Sequence, residues 1–266
     1  MKRKKIVLIV SSIVIGLILI LGGFFTWYLL FRSTSKKAYR EAVDYINNGD
    51  YYQFTDNGTI KIKTEFPDYN EYNEDNIIVL NGEGSVDIKK KLKYRKYTEV
   101  KDNEGQVIHE IYFEQDNVYI KNQNSEFEKL ENLGDINELF DEIFKETIKS
   151  EEFEILKSEN INGVDCYHYK IEVDKDEIQE VSRLFINIVI KDLQDLSSLD
   201  IAIEKSDIEL WISKEKSKIV KFYINFENVH FSEENNSVIM NIRFDISYSI
   251  YFNDWGGEVY IEIPNI

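Results

Sequence analysis

Few side chains in this sequence are suited to bond-making chemistry. There are three histidines, His109, His168 and His230, and one cysteine, Cys166. None of the histidines lies in an H-E-x-x-H pattern, and none pairs with the cysteine at zinc-binding spacing. No G-x-S-x-G elbow, Walker loop or G-x-G-x-x-G turn occurs. Cys166 and His168 share one face of an expected strand, so a thiolate–imidazole pair is the one nucleophilic arrangement the spacing allows. Their parity is opposite to the apolar set Tyr167, Tyr169, Ile171 and Val173, and no orienting acid is evident. Paired carboxylates are uninformative in a chain with 49 acidic residues. Phe66 to Asn76 is similar to a calcium loop only at Asp68 and Asn70; Tyr72 stands at the third ligand position and the glycine is missing. Asn57-Gly58-Thr59 and Asn235-Asn236-Ser237 match the glycosylation pattern, which is common by chance. The expectation is a protein that is not an enzyme, with no metal and no cofactor.

The elements that would position any site are dominated by one stretch, residues 237 to 252. Val238, Met240, Ile242, Phe244, Ile246, Tyr248, Ile250 and Phe252 alternate with mostly polar residues. A period of two places the two sets on opposite faces of a sheet. A strand this long would span roughly 50 Å at ~3.3 Å per residue, against an ordinary length of about 5–6 residues. Twist forbids it to stay flat, so a large curved antiparallel sheet with one apolar face is expected.

Around it the chain reads as follows. Thr34 to Asn48 is a short amphipathic helix through Ala38, Ala42, Tyr45 and Ile46, stopped at Asn47-Asn48-Gly49. Strands are expected at 59–63, 86–94, 108–114 and 118–121. The Lys89-Lys90-Lys91 run is placed on a solvated strand face. Residues 135–149 form an amphipathic helix. A hairpin spans 153–173 with Asn162-Gly163 as its turn. A second long helix, 176–199, is apolar beyond one stripe: Ile186 and Ile190 lie outside the row of Ile178, Val181, Leu184, Phe185, Ile188 and Val189. Such a helix is buried on more than one side or faces something greasy. Strands at 207–213, 218–227, 237–252 and 258–263 complete the chain. The fold class expected is α+β: an N-terminal transmembrane helix, then a large antiparallel half-barrel with helices on its concave face.

The first 32 residues differ from the rest. Ile6 to Phe31 carries no charge and is long enough to cross a bilayer, which needs ~20 apolar residues. Trp27 and Tyr28 near its end suit an interface. The domains expected are therefore 1–32, a cytoplasmic tail and signal anchor, and 33–266, a domain outside the cell. The localisation is the cell membrane, single-pass with the N-terminus in the cytoplasm; residues 6–31 would meet the lipid bilayer. Basic residues flank the run on both sides, so orientation rests on the cluster Lys2 to Lys5 before it. A formal charge of −17 argues against nucleic acid as a partner. The lone cysteine excludes an internal disulfide and decides no compartment.

The helix at 34–48, the meander and the phrases Ile161-Asn162-Gly163-Val164-Asp165-Cys166-Tyr167-His168-Tyr169, Glu209-Leu210-Trp211-Ile212-Ser213-Lys214 and Val259-Tyr260-Ile261-Glu262-Ile263-Pro264 resemble the bacterial lipoprotein-carrier (LolA-like) superfamily and related Gram-positive envelope lipoproteins. The resemblance covers about residues 36–264 and carries no catalytic signature. It implies a curved half-open sheet closed by helices, with acyl chains bound on the concave face. A transmembrane segment stands where many relatives have a lipobox cysteine, which is at odds with shuttling between membranes.

The function expected is a membrane-anchored extracytoplasmic binder of a hydrophobic ligand, a lipid or lipoprotein acyl chain. Its cavity would be lined by Leu184, Phe185, Ile188, Phe222, Ile224, Ile242, Phe244 and Ile246. Apolar burial at ~25 cal/mol per Å² would drive binding. The same residues would equally fill a solid core, leaving a non-catalytic surface interaction or structural module.

Overall fold

The computed structural model describes residues 30–46, 48–67, 74–101, 105–114, 117–122, 125–130, 153–172, 179, 201–235, 238–256 and 261. Within them are one helix, α1 (residues 30–46), and twelve strands. The strands are β1 (Tyr51–Glu65), β2 (Glu74–Asp87), β3 (Leu92–Lys101), β4 (Gly105–Glu114), β5 (Asn117–Asn122), β6 (Glu128–Leu130), β7 (Phe153–Ile155), β8 (Glu159–Ile161), β9 (Val164–Ile171), β10 (Lys205–Ser213), β11 (Ile219–Asn235) and β12 (Val238–Asn253). They form a single sheet in the order β6-β5-β4-β3-β2-β1-β12-β11-β10-β9-β7, with β8 also paired to β9. Every pairing is antiparallel.

This corrects the α+β expectation. The described residues are predominantly antiparallel β with one short helix, not a sheet roofed by several helices. The physical reason lies in strand length. β1 begins eight residues before the expected Thr59, through Asp56-Asn57-Gly58, a sequence that reads as a turn. Ladders to β2 on one side and β12 on the other hold it extended. The expected helices 135–149 and 176–199 lie outside the described residues, Gln179 apart, as do the loosely calcium-like Asp68, Asn70 and Tyr72 and most of the strand expected at 258–263.

The single-pass localisation is corrected as well. No helix among the described residues is long and apolar enough to cross a membrane. Of the apolar run 6–31, only Leu30 and Phe31 are described, and they begin α1. The Phe31 ring packs edge-on against Tyr167 of β9, centroids 5.5 Å apart, so the end of that run packs on the sheet.

α1 follows its sequence. Ser35, Ala38, Tyr39, Ala42 and Ile46 recur at helical spacing and are all buried. Tyr39 stacks on Phe153 of β7, and the Tyr169 hydroxyl donates to the Ser35 carbonyl at 2.8 Å, pinning α1 over β7 and β9. Gly49 closes the last turn by donating to the Tyr45 carbonyl at 2.7 Å. A Cβ there would lie 2.3 Å from that same oxygen, so only glycine fits. The Asn162-Gly163 turn also holds: both residues have positive φ, 51° and 88°, as a two-residue hairpin of the type I′ class requires.

Two strand assignments shift. The stretch expected as a strand over 86–94 is a hairpin corner: β2 ends at Asp87, Lys91 has φ 53°, and Lys90 N–H donates to Asp87 Oδ1 at 3.0 Å. The three lysines sit in that turn. β11 runs on to Asn235 through an irregularity between Phe226 and Val229, where Asn228 has φ 53°. Extra residues there switch parity, so Val229 as well as Phe222, Ile224 and Phe226 is buried.

Candidate functional site

Register assigns the faces. Across β10, β11 and β12, Ile208 is opposite Ile224 and Ile224 opposite Tyr248; Phe222 is opposite Leu210 and Ile250; Phe226 is opposite Ile246. Directly opposed residues share a face. Phe222 and Ile224 are 1% exposed, Ile246 2%, Ile242 3% and Phe244 5%. The five described residues of the expected cavity lining therefore form one continuous apolar wall. Leu184, Phe185 and Ile188, the expected helical side of the cavity, lie outside the described residues.

The same face changes character beyond β1. Asp56, with the parity of Phe54, Ile60 and Ile62, has a side chain wholly removed from solvent. Its partner is Arg95 on β3, two strands away and so roughly 10 Å off in backbone spacing. Between them, on β2, stand Gly82 opposite Asp56 and Gly84 opposite Arg95. The missing side chain at Gly82 leaves room for the Asp56 carboxylate, and that at Gly84 for the Phe54 ring. Arg95 Nε donates to Asp56 Oδ2 at 3.0 Å, and Nη2 donates to Asp56 Oδ1 at 3.2 Å and to the Tyr248 hydroxyl at 2.9 Å. A Cβ at Gly82 would lie 2.7 Å from Asp56 Oδ1. Burial opposes the Arg95 charge, but Tyr248, Asp56 and Tyr97 outweigh it and raise its pKa. Burial also drives the Tyr248 phenol well above its ordinary range, so it stays a neutral hydroxyl.

The cluster continues toward β5. The Arg95 guanidinium lies 4.7 Å from the Tyr97 ring centre, and Tyr97 stacks on His109 with centroids 4.7 Å apart. His109 Nε2 is 3.0 Å from Glu99 Oε2, and Nδ1 is 2.8 Å from Asn122 Oδ1. Exposure grows along this ladder: the Asp56 side chain is 0% exposed, Arg95 15% and Glu99 20%, and Asn122 is exposed. The apolar wall thus passes into a hydrogen-bonded polar ladder that opens to water at β3–β5.

Sequence reading missed this ladder. Running a strand through 86–94 put Arg95 on the outward set with Lys91 and Lys93; the turn at residues 88–91 resets the parity. The usable signals were a lone acid, Asp56, on an apolar parity, and the Gly82-x-Gly84 pair.

The Cys166–His168 pairing is placed on the opposite face. Cys166 is fully buried, and burial pushes its thiol up to about 11, away from the thiolate. His168 is engaged elsewhere: Nε2 is 2.7 Å from Glu209 Oε2, Nδ1 is 3.4 Å from Glu159 Oε1, and its ring stacks on Trp211 at 4.2 Å. Among the described residues no cluster of histidine, cysteine and acidic side chains is arranged to hold a metal.

No protein family matches the chain in sequence, and no curated protein does. In fold it is similar to the Mycobacterium tuberculosis lipoprotein LppX, at 12% identity and a TM-score of 0.45, covering 85% of this chain and 97% of that one. It is also similar to a DUF1329 family protein from Desulfovibrio piger, at 10% identity and a TM-score of 0.26, covering 85% and 95% of the two chains. A third likeness is to a β-barrel-like protein of the DUF1849 domain from Brucella abortus, at 6% and 0.26, covering 75% and 98%. Each spans nearly all of the neighbour at an identity too low to transfer a function.

Proposed function

We propose that the protein is a non-catalytic binder of a hydrophobic ligand, a lipid or acyl chain, held along the apolar face of its sheet and related in design to the lipoprotein-carrier superfamily. One observation carries the reading. The four long strands, 14 to 17 residues each, run roughly 46–56 Å at ~3.3 Å per residue. The one described helix, residues 30–46, is about 25 Å long at 1.5 Å per residue. Its rings meet Phe153, Tyr167, Tyr169 and Trp255, and its buried face joins Ile242, Phe244 and Ile246 in one apolar cluster. A sheet with a greasy face that outruns its described helix offers an acyl chain a long wall. Burial holds the Cys166 thiol up at about 11, away from the nucleophilic thiolate.

The near-complete burial of Phe222, Ile224 and Ile246 favours a second reading, a solid core in an interaction module. Native mass spectrometry of gently purified protein separates the two. Co-purifying lipid, or uptake of a long-chain probe after delipidation, is the expected result. A clean apo mass with no uptake overturns the proposal in favour of the solid core.

A further inference from the structure

Charge is unevenly placed on this protein, and exposed basic residues gather at one end of the sheet. We propose that this end docks on an anionic lipid surface, adsorbing through the exposed side of α1 and the two lysine-bearing turns beside it. The proposal stands apart from the ligand-binding reading and involves no crossing of the bilayer.

Three segments distant in sequence meet there. α1 carries Arg32, Lys36, Lys37 and Arg40, all exposed, between its buried residues Ser35, Ala38, Tyr39 and Ala42. The β2–β3 turn presents exposed Lys89, Lys90 and Lys91. It is tied to the residue that follows α1 and Gly49: the Ile88 N–H donates to the Asp50 carbonyl at 3.0 Å, and Lys89 pairs with the Asp50 carboxylate. The β10–β11 turn presents exposed Lys214 and Lys216. It meets α1 at three points. Lys214 lies 5.6 Å from the ring centre of Tyr167, on which Phe31 packs; the Ser217 hydroxyl bonds the Glu41 carboxylate; and the Lys218 ammonium sits on the Tyr45 ring.

Residues 30–50, 88–91 and 214–218 together hold ten basic and four acidic side chains, in a chain whose formal charge is −17. Asp87, Asp165 and Asp254 border them without reversing the sign. The far end of the long strands is acidic instead, where β1 ends at Glu65 and β2 begins with Glu74 and Asp75. Much of the basic charge is unspent. Arg32, Lys36, Arg40, Lys91 and Lys216 have no carboxylate in ion-pair reach among the described residues. Repulsion from the acidic remainder is screened beyond about 8–10 Å at physiological ionic strength, so this end acts by its local charge. Apolar sequence adjoining it selects lipid among anionic partners. Leu30, beside Arg32, is 63% exposed. The sequence leading into it, residues 6–29, is uncharged and mostly apolar and is preceded by Lys2-Arg3-Lys4-Lys5. Basic and apolar side chains in one place are the chemistry that adsorbs at anionic headgroups.

The test is flotation of the full chain with vesicles of phosphatidylcholine alone and of phosphatidylcholine mixed with phosphatidylglycerol. Hydrogen exchange is read at residues 30–46 and 214–218 in the same samples. Tighter binding to the mixed vesicles, weakened by salt, is expected, with exchange slowed at both segments on the mixed vesicles only. Exchange reads the patch itself, whatever residues 6–29 contribute on both vesicle types. Lys36→Gln with Arg40→Gln should lower the anionic preference on the order of 25-fold, about fivefold per basic residue, and Lys214→Gln with Lys216→Gln should do the same. Lys61→Gln with Lys157→Gln removes equal charge at exposed positions outside the patch and should change the preference little. Equal binding and equal exchange on the two vesicle types overturn the proposal. So does a loss of the same size in the Lys61 and Lys157 variant. Exchange slowed by soluble heparin and not by mixed vesicles assigns this end to a polyanionic chain and overturns the lipid assignment too.

Discussion

His109 and His168 are held in nearly the same way on opposite faces of one sheet. Each ring stacks on an aromatic neighbour, Tyr97 at 4.7 Å and Trp211 at 4.2 Å, and each meets a glutamate from an adjacent strand. The surroundings differ. His168 belongs to the outer face, where Glu159 is half exposed and the neighbouring Lys205 is 54% exposed in its pairs with Asp207 and Glu227. His109 continues a ladder that ends in Asp56 and Arg95 on the apolar face. Water can replace a lost partner outside; it reaches Asp56 poorly. The Lys205 pairs are therefore worth little on the outer face, whereas the Asp56–Arg95 pair is costly to break on the inner one.

The largest effect should follow removal of the inner cation. Arg95→Met leaves Asp56 buried without its counter-charge, and a loss of about 3–5 kcal/mol is expected in urea denaturation. Adding Asp56→Asn to it should recover a large part of that. The loss should barely change with salt, whereas the outer Lys205 pairs should weaken as screening rises. If Arg95→Met were no worse than His168→Gln, the contrast between the faces would collapse.

Gly82→Ala tests how the ladder crosses β2. Alanine in place of glycine in a strand ordinarily gains a few tenths to about 1 kcal/mol. Here the new Cβ would lie 2.7 Å from Asp56 Oδ1 and 3.1 Å from Tyr97 Cβ. Asp56 must give way and its bonds to Arg95 lengthen, so the expected sign reverses, to a loss of about 2 kcal/mol. A stabilised variant would show that the crossing tolerates a side chain.

The legible and illegible parts of the fold divide along the same line. β12 was readable from its alternation because nothing interrupts the period of two from Val238 to Asn253. The Asn162-Gly163 turn was readable because its backbone demands positive φ. β1 was not, because Asp56-Asn57-Gly58 has turn chemistry locally and is extended only through partners far away in sequence, Ile250 to Tyr248 and Gly82 to Leu80. Arg95 was misplaced because a turn of four residues at 88–91 reversed the parity that the alternation on either side suggested. Of the site, the wall residues Phe222, Ile224, Ile242, Phe244 and Ile246 came from periodicity. The ladder needed the register, since no local pattern ties Asp56 to Arg95.

On the outer face, Cys166 supplies a pH test. Its thiol is raised to about 11 by burial, so the unfolded chain, with a thiol near the ordinary 8.5–9, releases its proton first as pH rises. Below pH ~8.5 both states are protonated and the residue adds no pH dependence. Between about pH 9 and 11 the folded state loses stability, up to roughly 3 kcal/mol for a shift of this size. Cys166→Ala should flatten that limb of the stability curve. An unchanged limb would assign the alkaline loss to the raised tyrosines, Tyr94 among them, held near 12 by burial.

The smallest effect is expected from Trp211→Phe. The indole N–H donates to Glu159 Oε2 at 2.9 Å, and the ring supports His168 on one side and lies 4.4 Å from the Lys221 ammonium. Phenylalanine keeps an aromatic face for both and removes only the donor and some area. Glu159 is half exposed, so water takes the vacated bond. A loss of about 1 kcal/mol is expected, and a double-mutant cycle with Glu159→Gln should return a coupling near that value or below it. A coupling of the size expected for Arg95 with Asp56 would mean that the outer cluster is as dry as the inner one, and that the two faces differ in composition but not in how strongly they hold charge.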